Sequence, residues 1–125
     1  MTSYNDIIQS YCKALRANDY QAIISLFAKD AKVFSFFAGE KLAPEFFQNL
    51  FKTSQRAKVE LKNLFVDVEN KPIVAAYLYL EELKNEKEAG GKAYVDIFEF
   101  DSKNKITTLK IILENVSTAK AEPKG

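Results

Sequence analysis

Histidine is missing from all 125 residues and cysteine occurs once, as Cys12. Every Ser-His or Cys-His nucleophilic arrangement therefore lacks its base. A structural zinc site lacks its usual ligands for the same reason, so no metal and no cofactor is expected. Cys12 lies on the apolar side of the first predicted helix with nothing to activate it, and reads as core filler. Charge of one sign is also missing, because 18 Lys and Arg face 17 Asp and Glu for a net charge of +1. Nothing in that balance favours nucleic acid or an anionic membrane as partner. No apolar run approaches the roughly 18 residues of a membrane span, and the opening Met-Thr-Ser-Tyr-Asn-Asp has no basic segment leading into an apolar core. A cytoplasmic protein is expected. No internal repeat, linker or domain boundary is visible, so residues 1–116 are expected to form one domain and 117–125, with Pro123 and small or charged residues, a flexible tail. A chain of this length buries about two-thirds of the surface that it exposes unfolded, without a disulfide or metal staple.

What is present begins with helices. Tyr4, Ile7, Ile8, Tyr11, Cys12 and Leu15 recur at i, i+3, i+4 spacing, with Thr2 or Ser3 as cap. Asn18 with Gln21 resembles a capping box for a short second helix, buried through Ile23, Ile24 and Phe27 and ended by Lys29-Asp30. Ala31 to Phe37 is rich in strand formers, and Gly39 permits a tight turn. Pro44 suits the first turn of a third helix that turns Phe46, Phe47, Leu50 and Phe51 inward. The aromatic series Phe34, Phe36, Phe37, Phe46, Phe47 and Phe51 reads as core.

The second half reads as sheet: Lys58 to Glu69, a turn at Asn70-Lys71-Pro72, Ile73 to Leu83, a polar solvated link from Lys84 to Gly91, and two strands spanning Lys92 to Glu114 around a turn at Ser102-Lys103-Asn104. Period-2 alternation puts Val74, Ala76, Leu78 and Leu80 on one face, and Ile73, Ala75, Tyr77 and Tyr79 on the other. Both faces are apolar. Three helices cover only one of them, so a homodimer through Ala75, Tyr77, Tyr79, Val95, Ile97 and Ile112 is expected. Asp96 shares a face with Tyr94, Phe98 and Phe100, and a carboxylate among aromatics calls for a reason.

The segments Ile-Gln-Ser-Tyr-Cys-Lys-Ala-Leu-Arg-Ala-Asn-Asp-Tyr, Ala-Ile-Ile-Ser-Leu-Phe-Ala-Lys-Asp-Ala-Lys-Val and Tyr-Val-Asp-Ile-Phe-Glu-Phe-Asp, with the element order, resemble the nuclear transport factor 2-like superfamily over about Tyr4 to Glu114. The resemblance implies an α+β cone, with three N-terminal helices packed in a curved, mostly antiparallel sheet around one blind pocket. It also implies a range of functions, since the superfamily holds ketosteroid isomerases, SnoaL-like polyketide cyclases, dehydratases and non-enzymatic adaptors.

Within that superfamily the pattern is similar to ketosteroid isomerase. Tyr11 matches that family's oxyanion-hole tyrosine, and Asp96 its protonated aspartic acid, the buried neutral carboxyl that serves as a general example of pKa tuning. The family's aspartate base falls on Ser35, which cannot accept a carbon-bound proton at neutral pH without a base of its own. The resemblance thus places Tyr11 and Asp96 as oxyanion donors, and Ser35, Leu78, Leu80, Tyr94, Phe98, Leu109, Ile111 and Leu113 around the ligand. A structural reading stands beside it, in which Tyr11 is a core aromatic and Asp96 a buried carboxyl satisfied by its neighbours. Two functions follow: a binding protein for a small apolar molecule, or an isomerase-, cyclase- or dehydratase-type enzyme that stabilises an enolate with a base other than Ser35.

Overall fold

The computed structural model describes residues 3–53, 57–84 and 87–113. The element order is α1 Tyr4–Ala17, α2 Tyr20–Ile24, β1 Phe27–Ser35, β2 Gly39–Leu42, α3 Ala43–Thr53, β3 Ala57–Val66, β4 Ile73–Lys84, β5 Lys87–Phe100 and β6 Ile106–Leu113. The expected tail, residues 117–125, and the domain end at 116 lie outside the described residues.

Helix α1 forms where its periodicity predicts and buries Ile7, Ile8, Tyr11, Cys12, Ala14 and Leu15. Ser3 is its cap, and a capping box forms with Asp6 rather than with a longer acid. The expected capping role of Asn18 is corrected. Asn18 takes the left-handed conformation with φ of 52° and closes α1, a place that Asn tolerates better than most residues. Asp19 caps α2 instead, its carboxylate accepting from the Ala22 amide at 3.1 Å. Helix α2 ends at Ile24, not at Lys29-Asp30, because Phe27 is already paired with Ile106 in the sheet. Phe27 is buried as expected, but from a strand.

The sheet is six-stranded, curved and open, with the order β2-β1-β6-β5-β4-β3. All neighbouring pairs are antiparallel except β1 with β6. Strand β3 stops at Val66 rather than Glu69, because the Asp67 carboxylate accepts from the amides of Glu69 and Lys71 and starts the turn early. The described part of the supposed link from Lys84 to Gly91 is strand, with Lys84 opposite Lys87 and Leu83 opposite Glu88. Polar residues are no obstacle to that pairing, which uses only backbone groups.

The helices lie against one sheet face through an aromatic layer. Tyr11 meets Phe98 edge-on at 5.1 Å and Phe47 at 6.2 Å, Tyr4 stacks on Phe100 at 4.6 Å, and Phe47 packs on Phe27 at 5.4 Å. Such pairs add roughly 0.5–1.5 kcal/mol each beyond their buried area. Tyr11, Phe47, Phe98, Ile8, Ile23 and Leu109 are fully enclosed. On the opposite face Ile112 is 46% exposed, and Tyr79 folds over Gly91 so closely that a Cβ there would overlap the phenol.

Candidate functional site

Strand register places Asp96 between Ala76 of β4 and Ile111 of β6, in a row that continues outward to Leu64 on one side and Ser35 on the other. The alternation of β5 is imposed by Phe98 and Phe100, which the helices bury. Asp96 follows them inward, because side chains two apart share a face. It is 3% exposed, and its Oδ1 has no hydrogen-bond partner among the described residues. Burial pushes the carboxyl up from 3.8 to about 8, so the group is an acid rather than an anion at neutral pH. An ionised carboxylate unpaired in this setting would be far more costly than the neutral form.

Two groups of α1 lie within electrostatic reach of Asp96. Tyr11 is held well above its ordinary value by burial, with the Asp96 charge adding to the effect. The Cys12 thiol is pushed up to about 11, first by burial, with Arg16 opposing and Asp96 adding. Cys12 is therefore a buried, inert thiol, as its sequence context implies.

The residues expected around a ligand all come from the sheet, and their exposure follows a gradient. The row Val33, Leu109, Phe98 and Val74 is fully buried under the helices. In the Asp96 row, Ala76 and Asp96 are buried while Ser35, Ile111 and Leu64 are half-buried. One step further, Leu78 is buried while Leu113, Tyr94 and Leu61 are half-buried, and Leu80 on the adjoining inner position is half-buried as well. Asp96 thus sits at the boundary between a closed core and a partly accessible inner face. Within that set, Phe98 and Leu109 are fully buried and belong to the closed core, Phe98 against Tyr11 of α1.

Ser35 ends β1, and its hydroxyl oxygen accepts from the Ala38 amide at 2.8 Å, which closes the turn into β2. Gly39, with φ of +72°, completes that turn. The turn also corrects the reading of Phe36 and Phe37 as core. They are 52% and 56% exposed at the hairpin tip. Phe36 reaches Tyr94 at 6.1 Å and Phe37 reaches Phe46 at 5.8 Å, so the tip spans from the sheet to α3. Two residues not singled out as site residues in the sequence also matter here. Ala76 is the small residue paired with Asp96 across β4 and β5, and the Ala38 amide is the donor that engages Ser35. Register alone reveals the first; a Ser three residues ahead of a turn amide could have signalled the second.

No family model matches the chain, and no curated protein matches it in sequence. Solved structures do. A nuclear transport factor 2-like protein of unknown function from Cytophaga hutchinsonii superposes with a TM-score of 0.71 at 13% identity, over 98% of this chain and 97% of that one. One from Exiguobacterium superposes at 0.70 with 17% identity, over 88% and 99%. The epoxide hydrolase/cyclase-like enzyme SalBIII, with a role in pyran ring formation in the polyether salinomycin, superposes at 0.72 with 19% identity, over 88% and 89%. The chain has the fold of the nuclear transport factor 2-like superfamily, as its three sequence segments imply. No helix among the described residues is long and apolar enough to cross a membrane.

Proposed function

We propose that this chain binds a small apolar molecule through one of its oxygens, on the inner sheet face, with protonated Asp96 as the anchoring donor and Tyr11 as a second donor beside it. One observation carries the reading: a carboxyl oxygen that is buried and unpartnered among the described residues where the inner face begins to open. A buried polar group without a partner costs about 1–3 kcal/mol, and a ligand oxygen would offset that cost. Leu78, Leu80, Tyr94, Ile111 and Leu113 would supply the apolar contact, with Phe98 and Leu109 beneath them. Ser35 stands where a ketosteroid-isomerase-like site carries its base, so binding without efficient isomerisation is the natural outcome.

The test is titration of a rigid cyclic enone followed by amide chemical shifts. Wild type is expected to show saturable shifts clustered on residues 94–98 and 109–113, and Asp96→Leu, which fills the space and removes the donor, is expected to weaken binding at least tenfold. Equal affinity for both proteins removes Asp96 as anchor.

The alternative reading is an enzyme of isomerase, cyclase or dehydratase type. Asp96, kept protonated near neutral pH, has the state a general acid needs, and one structural neighbour is an epoxide hydrolase/cyclase-like enzyme. We further infer a cytoplasmic homodimer. The single unpaired Cys12 suits a reducing compartment, and Ala75, Tyr77, Tyr79, Val95 and Ile97 form a half-buried apolar outer face beside exposed Ile112. Phe65, opposite Ala75 and 56% exposed, extends that face to the sheet edge. Sedimentation at micromolar concentration is expected to give twice the 14.2 kDa chain mass, and Tyr77→Lys with Ile112→Lys to return the monomer. A wild-type monomer ends the dimer reading.

A further inference from the structure

Ser35 and Asp96 lie in one row of the inner face, two strands apart, with the half-buried Ile111 between them. Both are polar positions in a row whose other members, Ile111, Ala76 and Leu64, are apolar. Two strand spacings set their Cα atoms about 10 Å apart. A serine hydroxyl offers one hydrogen and two lone pairs, and the Ala38 amide occupies a lone pair, leaving the O–H to donate. The turn therefore does not consume Ser35; it fixes the oxygen and so orients what remains.

We infer that the ligand carries hydrogen-bond-accepting oxygens at both ends of a flat body lying over Ile111, one end held at Asp96 and the other by the Ser35 hydroxyl. This rests on the binding reading given above. With side chains standing off the sheet and a hydrogen bond of about 2.8 Å at each end, the two ligand oxygens stand about 4 Å apart if both bonds lie along the row, and further apart if the donors point up from the sheet. That span fits a molecule one or two rings wide. Ser35 is here a specificity-determining contact, which explains why a serine at the expected base position need not signal a dead site.

Acetophenone and 1,4-diacetylbenzene share a body and differ by one acceptor carbonyl, so their affinities isolate the second contact. Wild type is expected to bind the diketone about 2- to 12-fold more tightly, the effect of one neutral hydrogen bond. Ser35→Ala is expected to erase that gain, so that the two ketones bind alike, and Ser35→Thr, which keeps the hydroxyl, to restore it. The Ala38 amide resonance reports whether the turn survives each substitution. A gain that persists in Ser35→Ala, or no gain in wild type that binds acetophenone, overturns the two-ended ligand and leaves the Asp96 anchor standing. Binding of neither ketone by wild type takes down the anchor and the two-ended ligand together.

Discussion

Raising the pH from about 4 to about 8 is expected to destabilise the wild-type protein steadily relative to Asp96→Asn. The folded-state carboxyl titrates near 8 against an ordinary 3.8, because it is desolvated. Between those values the unfolded chain has lost a proton that the folded chain keeps, so unfolding releases a proton and stability falls as pH rises. Below 3.8 both states are protonated and the penalty vanishes; above about 8 both are ionised and it stays at its largest. At about 1.4 kcal/mol for each pH unit, the penalty reaches the order of 4 kcal/mol by pH 7.

Asparagine is close to the acid form in shape and carries no charge, so it escapes this penalty. Its extra N–H group needs a partner, which returns about 1–3 kcal/mol. Asp96→Asn should therefore be the more stable protein at pH 7 by a few kcal/mol and the less stable one near pH 4. Urea midpoints of both proteins from pH 4 to 8.5 measure the difference, in which the ordinary surface carboxylates cancel. Parallel curves would mean that Asp96 ionises in the native state with a partner, and so would a carbon-detected NMR titration that places its carboxyl near 4.

The second large effect is kinetic. Wild type is expected to isomerise a β,γ-unsaturated ketone very slowly, and Ser35→Asp to raise the rate by about 10²–10⁴-fold, the usual worth of a placed general base. The aspartate can still accept from the Ala38 amide, so the turn that fixes the position should survive. Adding Tyr11→Phe should then lower the rate again by removing one donor to the developing oxyanion. Dienone absorbance on wild type, Ser35→Asp and the double variant measures all three. Fast wild-type turnover would reveal a base other than Ser35 and move the protein to the enzyme reading. No gain in Ser35→Asp, with ligand still bound, would separate the Asp96 site from isomerase geometry.

The periodicity of α1 and the alternation of β4 and β5 were legible because each element buries one face, and burial writes a period of 3.6 or 2 into the residues. Asp96 was legible as an anomaly for the same reason, since only the pleat could place it with Phe98 and Phe100. The ends of elements were not. Asn18, Asp19 and Gln21 offer competing caps within four residues, and the choice fell to the left-handed turn that brings α2 back onto α1. Lys84 to Gly91 looked like a link because its residues are polar, whereas strand pairing there needs only backbone groups.

By itself the sequence determined the helix faces, the sheet alternation, the inward position of Asp96 and, through three segments, the superfamily fold. Only the tertiary structure decided which side chains stand beside one another across strands. Register put Ala76 and Ile111 against Asp96, set Ser35 in the same row, and lifted Phe36 and Phe37 out of the core onto a hairpin tip. Those adjacencies join residues up to 76 positions apart, as Ser35 with Ile111, and no local propensity encodes them. They come from packing the curved sheet around three helices, where burying one more apolar row fixes every partner at once.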